Sequence, residues 1–412
     1  LHTLAQLKAG QLGHITRLQL SENLTEFPVE ILTLADSLEI LDLSNNQLSH
    51  LPDSITQLHK LKIIFASNNL FTELPAILGQ CPNLEMIGFK SNQIKHVPNE
   101  SLPPKLRWLI LTDNQITAMP SSLGERPRLQ KLALAGNRLT SLPASLANAN
   151  NLELIRLSAN QLTEFPTQLL NLPKLAWLAF AGNPFGVQTI DASVPKINAS
   201  DYQLEQVLGQ GASGIISKAK WLNNPHQFTD QIAVKVFKGE ITSDGYPQDE
   251  LNACLKTGSH PNLVKSLAQV DDNQQLALVM ELIPAHYANL GLPPSLASCT
   301  RDTFEQGFAL TIKQIHKIVM QMADLVQHLQ QQQVCHGDLY AHNVLFDEQA
   351  NIIFGDFGAA SIYGNLTLEQ QQAIVQIERR AFSYFIEDLL SISEPANTEA
   401  EQQLLVEIKQ LQ

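Results

Sequence analysis

The 412-residue chain is 44% hydrophobic, enough for two separate cores, and its four cysteines (Cys81, Cys254, Cys299, Cys335) are too scattered for a disulfide-stapled secreted domain. Of its 27 basic and 40 acidic residues, 15 of each fall in residues 1–200, which leaves 12 and 25 in the second half and puts the whole formal charge of −13 there, disfavouring nucleic acid as a ligand of that half. The opening LHTLAQLKAGQLGH has no cationic segment followed by an apolar run, and no apolar stretch reaches about 18 residues, so a cytoplasmic protein with reduced thiols and no membrane span is expected.

In the first half asparagine recurs at Asn23, Asn46, Asn69, Asn92, Asn114, Asn137, Asn160 and Asn183, in steps of 22 or 23. Around these positions runs LxxLxLxxNxLxxLP, as in Leu38, Leu41, Leu43, Asn46, Leu48, Leu51, Pro52. A fixed period of this length predicts a solenoid: alternate leucines of a short strand point inward, and each asparagine bonds backbone where the chain turns, forming a ladder between units. The pattern resembles leucine-rich repeats, eight of them. The first is one residue short between Asn23 and Phe27, and the last ends in Gly182-Asn183-Pro184-Phe185, so both ends read as caps. Outward strand positions carry Ile40, Ile63, Phe65, Met86, Trp108, Ile110 and Trp177. Apolar residues on the concave face predict a protein substrate or partner there, or cover by the second half of the chain.

After Phe185 the period stops. The expected division is repeats over 1–185, a linker over 186–200 and a second domain over 201–412. Strand-like runs follow (LEQVLGQGASGIISKAKW, QIAVKVFK, QQLALVMELI), interrupted by a helical stretch near residues 248–255, and later segments are mainly helical. A small sheet-rich lobe before a helical lobe is the predicted architecture.

Gly209, Gly211 and Gly214 form a GxGxxG between two predicted strands, which permits a hairpin whose amides approach phosphates. Ala233-Val234-Lys235 lies on the next strand, where one ammonium can sit above a phosphate pair. Glu250, on the predicted helix ahead of His260-Pro261-Asn262-Leu263-Val264, is positioned to pair with Lys235; Asp249 is the competing choice. Then come His336-Gly337-Asp338-Leu339-Tyr340-Ala341-His342-Asn343 and Asp356-Phe357-Gly358.

This ordered set resembles the eukaryotic-like protein kinases over residues 201–412, and the whole chain is similar to compact leucine-rich-repeat protein kinases of the bacterial type. The fold class implied is α/β multidomain, a repeat solenoid followed by a two-lobed α+β kinase-like domain. The resemblance implies ATP and Mg2+ as cofactors. It assigns Lys235, held by Glu250, to the alpha and beta phosphates, Asn343 and Asp356 to the metal, and Asp338 to orienting the acceptor hydroxyl and taking its proton. Leu208, Ile216 and Ala233 would roof the adenine and Leu345 floor it, with the backbone of Glu281 and Ile283 as its hydrogen-bonding edge and Met280 as gatekeeper.

Four departures narrow that expectation. Gly337 replaces the usual arginine, so no cation is placed to grip a phosphorylated activation loop, and activation by that route is not expected. Tyr340 replaces the lysine that serine/threonine kinases hold near the transferring phosphate, with His342 or a substrate group as the substitute. No APE segment follows the DFG triplet, and Glu378 matches the start of the central helix, which leaves a short activation segment. Against the family's pattern, the last helices are expected to be cut short at Gln412. Three readings stand: a protein serine/threonine kinase, a small-molecule phosphotransferase of the same superfold, which shares the HGD triplet, and a nucleotide-binding scaffold.

Overall fold

The structure is a computed structural model and describes residues 1–186, 194–211, 213–239, 241–242, 244–272 and 275–412. It divides into two compact units: Leu1–Leu175 with Asn183–Phe185, and Ala176–Gly182 with Gly186–Gln412.

The first unit opens with helix α1 (Leu4–Lys8), capped by the reciprocal bonds of Thr3 and Gln6. Three-residue strands then recur once per repeat: β1 (Arg17–Gln19), β2 (Ile40–Asp42), β3 (Ile63–Phe65), β4 (Met86–Gly88), β5 (Trp108–Ile110), β6 (Lys131–Ala133) and β7 (Leu154–Arg156). They pair in parallel with equivalent positions of successive repeats opposite one another, so Ile40 lies beside Ile63, Ile63 beside Met86 and Met86 beside Trp108. After each Leu-Pro step the chain returns through a single 3-10 turn such as Asp53–Gln57 or Ala144–Asn148. The repeat leucines Leu38, Leu41, Leu43 and Leu48 are wholly buried, as their spacing predicts.

The asparagine ladder forms from Asn46 onward. Asn46 donates from Nδ2 to Leu20 O in the preceding repeat and to Leu43 O in its own, each at 2.8 Å, and its Oδ1 accepts from Leu24 N at 2.9 Å. Asn69, Asn92, Asn114, Asn137 and Asn160 repeat this arrangement. Asn23 does not join it. One residue is missing from the first repeat, so Asn23 falls on the turn, exposed and with φ 55°. That left-handed turn position precedes each ladder asparagine elsewhere, at Asn45, Asn68, Ser91, Asp113 and Ala159.

The strand of the eighth repeat, β8 (Trp177–Ala179), belongs to the second unit. Positions 187–193 of the expected linker lie outside the described residues. Beyond them the chain is not without structure: β9 (Lys196–Ile197) joins the sheet edge in parallel with a later strand. Next come β10 (Tyr202–Gln210), β11 (Gly214–Trp221), β12 (Ile232–Phe237), helix α2 (Pro247–Thr257), β13 (Ser266–Asp272) and β14 (Gln275–Glu281). The sheet order is β10-β11-β12-β14-β13-β9, antiparallel apart from the β9 edge. One face buries Ile232, Val234, Ala268, Val270, Ala277 and Val279, and on the other Phe237 and Leu278 pack against Leu251 and Leu255 of α2. Pro247 starts α2 at its first position and Gly258, at φ 70°, follows its end, the residue types those two places favour.

The helical part contains β15 (Ala288–Asn289), helix α3 (Ile312–Gln331), β16 (Val334–Cys335), β17 (Val344–Phe346), β18 (Ile352–Phe354), β19 (Ser361–Ile362), α4 (Leu368–Ser391) and α5 (Glu399–Gln410). Thr311, Thr367 and Thr398 cap α3, α4 and α5 through Thr-x-x-Gln or Thr-x-x-Glu boxes that are legible in the sequence. Glu378 does not start a helix, as its match had suggested; α4 begins at Leu368 and carries Glu378 in its middle. The segment after the DFG triplet is therefore shorter still.

Candidate active site

Alternate residues of β12 face opposite sides of the sheet, so the parity that sends Ile232 and Val234 into the core sends Ala233, Lys235 and Phe237 towards α2. There the Lys235 ammonium bonds Glu250 Oε1, with 12% and 3% of the two side chains exposed. Burial lowers the Lys235 pKa, but Glu250 and Asp356 outweigh it and the net direction is up, so the amine stays charged. Burial raises Glu250 against the pull of Lys235. Asp249, the competing choice, is not the partner of Lys235; its carboxyl is pushed up to about 6 by burial.

The glycine hairpin closes by a bond from Gly211 N to Gly214 O at 3.0 Å. Its three glycines answer to different demands. A Cβ on Gly214 would stand 2.5 Å from Val236 O of β12, so packing alone requires glycine, whereas a Cβ on Gly209 or Gly211 would meet nothing within 4 Å. Leu208 is 49% exposed, Ile216, Met280, Ile283 and Leu345 are half-buried, and Ala233 is buried. Glu281 donates its amide to Lys265 O at 3.0 Å.

The segment after β16 is held from several sides. His336 is fully buried; its Nε2 meets Gly355 O at 2.9 Å and its Nδ1 accepts from Asp338 N at 3.2 Å, partners that assign the proton to Nε2. The ring stacks on Phe354 and leans on Phe357, the middle residue of the DFG triplet. His336 N donates to Glu378 Oε1 at 2.6 Å, and burial pushes the Glu378 carboxyl up to about 7. Asn343 Nδ2 donates to Asp338 O at 2.9 Å, which fixes the amide and turns its oxygen outward from that bond. His342 meets buried Asp302 through Nδ1 at 2.6 Å and through its amide at 3.2 Å. Burial lowers the His342 pKa, but Asp302, Asp338 and Asp356 more than reverse this. Asp356 is exposed, has φ 53°, and accepts from Gly358 N at 3.3 Å.

The site residues read from the sequence thus come from the hairpin, β12, α2, β14 and the residues just after it, the segment after β16, β17 and the turn after β18. A Cβ on Gly358 would lie 3.3 Å from Asp356 Oδ1 and 3.8 Å from Glu250 Oε2, so the ion pair and the DFG carboxylate are neighbours. Sequence reasoning missed Asp302, and it read Glu378 as a helix start although the side chain binds the loop backbone. Neither residue stands in a spacing pattern that would have marked it. Two residues expected on the partner face are buried: Met86 is 4% exposed, and Trp177 is 1% exposed because its ring packs inside the second unit. Ile40, Ile63, Phe65, Trp108 and Ile110 are half-buried.

The family model for protein tyrosine and serine/threonine kinases matches residues 202–382, and leucine-rich-repeat models match residues 37–58 and 127–185. Among curated proteins, a serine/threonine-protein kinase of Debaryomyces hansenii is 22% identical over 166 residues, 40% of this chain and 27% of that protein. An activated Cdc42 kinase-like protein of Drosophila melanogaster is 28% identical over 170 residues, 41% of this chain and 12% of that one. A solved plant peptide hormone receptor, RGFR1 in complex with RGF2, aligns with TM-score 0.36 and 26% identity over 45% of this chain and 33% of its own. The chain thus spans little more than a quarter of these curated relatives at most. These curated relatives are eukaryotic, which lends nothing to a bacterial type. Leucine-rich repeats are followed by a protein-kinase domain with a mixed sheet and helices.

Proposed function

We propose that this chain is an ATP-dependent protein serine/threonine kinase, with functional boundaries at 1–185, 186–200 and 201–412, and with repeats that recognise a protein substrate or partner. The observation that carries the reading is the charged, buried Lys235 paired with Glu250 beside Asp356. A buried ammonium with a carboxylate partner is costly to maintain as mere packing, and it is what two adjacent phosphates need.

The residues fit a hard divalent cation. Asn343 presents an amide oxygen and Asp356 a carboxylate, and among the described residues no cluster of three His, Cys, Asp or Glu side chains forms a metal site by itself. Such a sparse oxygen donor set suits magnesium shared with nucleotide phosphates. When bound, magnesium supplies positive charge that offsets the phosphate oxygens. Lys235 binds the alpha and beta phosphates, and Gly209 and Gly211, which packing does not require, let the hairpin backbone approach them. Leu208, Ile216, Ala233 and Leu345 enclose the adenine. Because the Glu281 amide is already engaged with Lys265, its carbonyl accepts from the base and Ile283 supplies the donor. Asp338 orients the acceptor hydroxyl and takes its proton at the carboxylate.

The serine/threonine preference rests on the Debaryomyces hansenii relative being a serine/threonine-protein kinase, itself matched over 40% of this chain. The compact bacterial-type arrangement is supported only by the brevity of the segment between Gly358 and the cap of α4 at Thr367. The same brevity favours the small-molecule phosphotransferase reading. The partner face is proposed on Ile40, Ile63, Phe65, Trp108 and Ile110, without Met86 and Trp177. A cytoplasmic location is proposed on the four cysteines, all of which are free thiols. Among the described residues no helix is long and apolar enough to cross a membrane.

Transfer of labelled phosphate from Mg-ATP to a mixed protein extract tests the reading, with Asp338→Asn as control. Label on protein that disappears in the variant is expected. Label confined to small molecules supports the rival, and absence of transfer with ATP still bound supports the scaffold.

A further inference from the structure

By repeat register Trp177 occupies an outward position, yet it is among the largest fully buried side chains of the protein. Its ring lies on Tyr340 with centroids 4.6 Å apart and planes 10° from parallel, and on Tyr384 of α4 at 5.4 Å and 25°. Its Nε1–H donates to Leu339 O at 3.1 Å. The rest of β8 follows suit: Cys335 Sγ meets Leu178 O at 3.7 Å, and Phe180 N donates to Ser361 Oγ of β19 at 2.9 Å.

The stack extends beyond these three rings. The Arg301 guanidinium lies 4.5 Å from the Tyr384 ring while bonding Asp388 at 2.6 Å, and at the other end Tyr340 is 4.9 Å from His342, which is held by Asp302. The column therefore starts and finishes on consecutive residues, Arg301 and Asp302, with Trp177 at its centre. Asp338 sits between two residues that β8 constrains. Leu339 accepts the Trp177 bond, and Gly337, at φ 74°, would place a Cβ 2.7 Å from Leu178 O and 2.6 Å from Ala359 O. A side chain at position 337, arginine included, collides with the backbone of β8.

We propose that Ala176–Gly182 is a built-in positioning element for the catalytic loop, and that Trp177, through Leu339 and Tyr340, sets the orientation of Asp338. This rests on the kinase reading for what Asp338 does. Trp177 touches neither nucleotide nor acceptor and is a positioning residue. A buried carbonyl needs a donor, so losing the indole N–H releases Leu339, and losing the ring releases Tyr340 as well.

The test compares Trp177→Phe, which keeps a ring without the donor, with Trp177→Leu and Ser361→Ala; Val29→Ala, at an exposed position of the first unit, is the control. Three readouts are hydrogen exchange of amides 337–343, Mg-ATP binding by calorimetry, and kcat and KM for phosphate transfer to dephosphorylated casein. Trp177→Leu should lower kcat about 100-fold and Trp177→Phe about 10-fold, with KM for ATP within about twofold of the parent, because misorientation leaves ground-state binding intact. Exchange at 337–343 should rise in the same order, and in Ser361→Ala, while Val29→Ala changes nothing. Unchanged exchange and kcat in folded Trp177→Leu overturns the proposal. So does loss of ATP binding with exchange raised across the whole second unit, since that marks Trp177 as ordinary core. If Trp177→Leu does not fold, Trp177→Phe and Ser361→Ala decide. If the parent transfers no phosphate, the kinase reading fails, and the exchange measurement still decides whether β8 holds the loop.

Discussion

In the first unit one side-chain device is used over and over: Asn46, Asn69, Asn92, Asn114, Asn137 and Asn160 each join two repeats through buried amide bonds. In the second unit each supporting contact occurs once and joins distant parts of the chain, as when His336 N meets Glu378 or His342 meets Asp302. A repeated device tolerates the weakening of one copy because its neighbours still hold, whereas a single-copy contact has no understudy. The two regions should therefore fail in different ways.

The sharpest contrast is catalytic. Asp338→Asn should lower kcat for phosphate transfer about 1000-fold, the scale of losing a general base, and leave the melting of the first unit unchanged. Next, Asn92→Ala removes bonds to Ala66 O, Phe89 O and Phe71 N in a buried place. It should destabilise the first unit by about 3 kcal/mol in urea denaturation and leave ATP affinity as it was. A pH effect is expected in the second unit. Burial raises Glu378 from the ordinary 4.5 to about 7, so the stability contributed by its protonated carboxyl is fully present below pH 4.5 and is lost as pH rises through 7. Glu378→Gln keeps an acceptor for His336 N and should abolish that slope, making the second unit more stable than the parent by about 3 kcal/mol at pH 8 and equal to it near pH 4. The smallest effect is expected at Ala159, the alanine on the left-handed turn position at φ 55°. Ala159→Gly should stabilise the first unit by about 0.5 kcal/mol, measured as a shifted urea midpoint.

Legibility in the sequence follows the same division. The repeat period shows where the leucines and ladder asparagines go because every unit restates the rule, and for the asparagines it misleads at the first repeat, which is one residue short, so that Asn23 slips onto the turn. In the second unit GxGxxG, Lys235, Asp338, Asn343 and Asp356 stand out because their order and spacing resemble those of the protein kinases, while each of them alone would be a common residue. The choice of Glu250 over Asp249 as the Lys235 partner comes from its spacing to segment 260–264, and the Lys235–Glu250 bond agrees with it. Asp302, Glu378 and Trp177 were not readable, since a carboxylate on an amide or an indole on a carbonyl constrains no local pattern. Trp177 was misread for a physical reason: repeat register assigns it to the concave face, and only tertiary packing moves it into the second unit.

The most direct test is calorimetric titration of ATP into the full chain with and without Mg2+, for the parent, Lys235→Met and Asp356→Ala. The parent should bind ATP in a Mg2+-dependent manner. Lys235→Met should lose about tenfold or more in affinity, the scale of one charge-assisted contact, and Asp356→Ala should lose the Mg2+ dependence. Binding of equal affinity in all three proteins, indifferent to Mg2+, would contradict a nucleotide site built on the Lys235–Glu250 pair and Asp356.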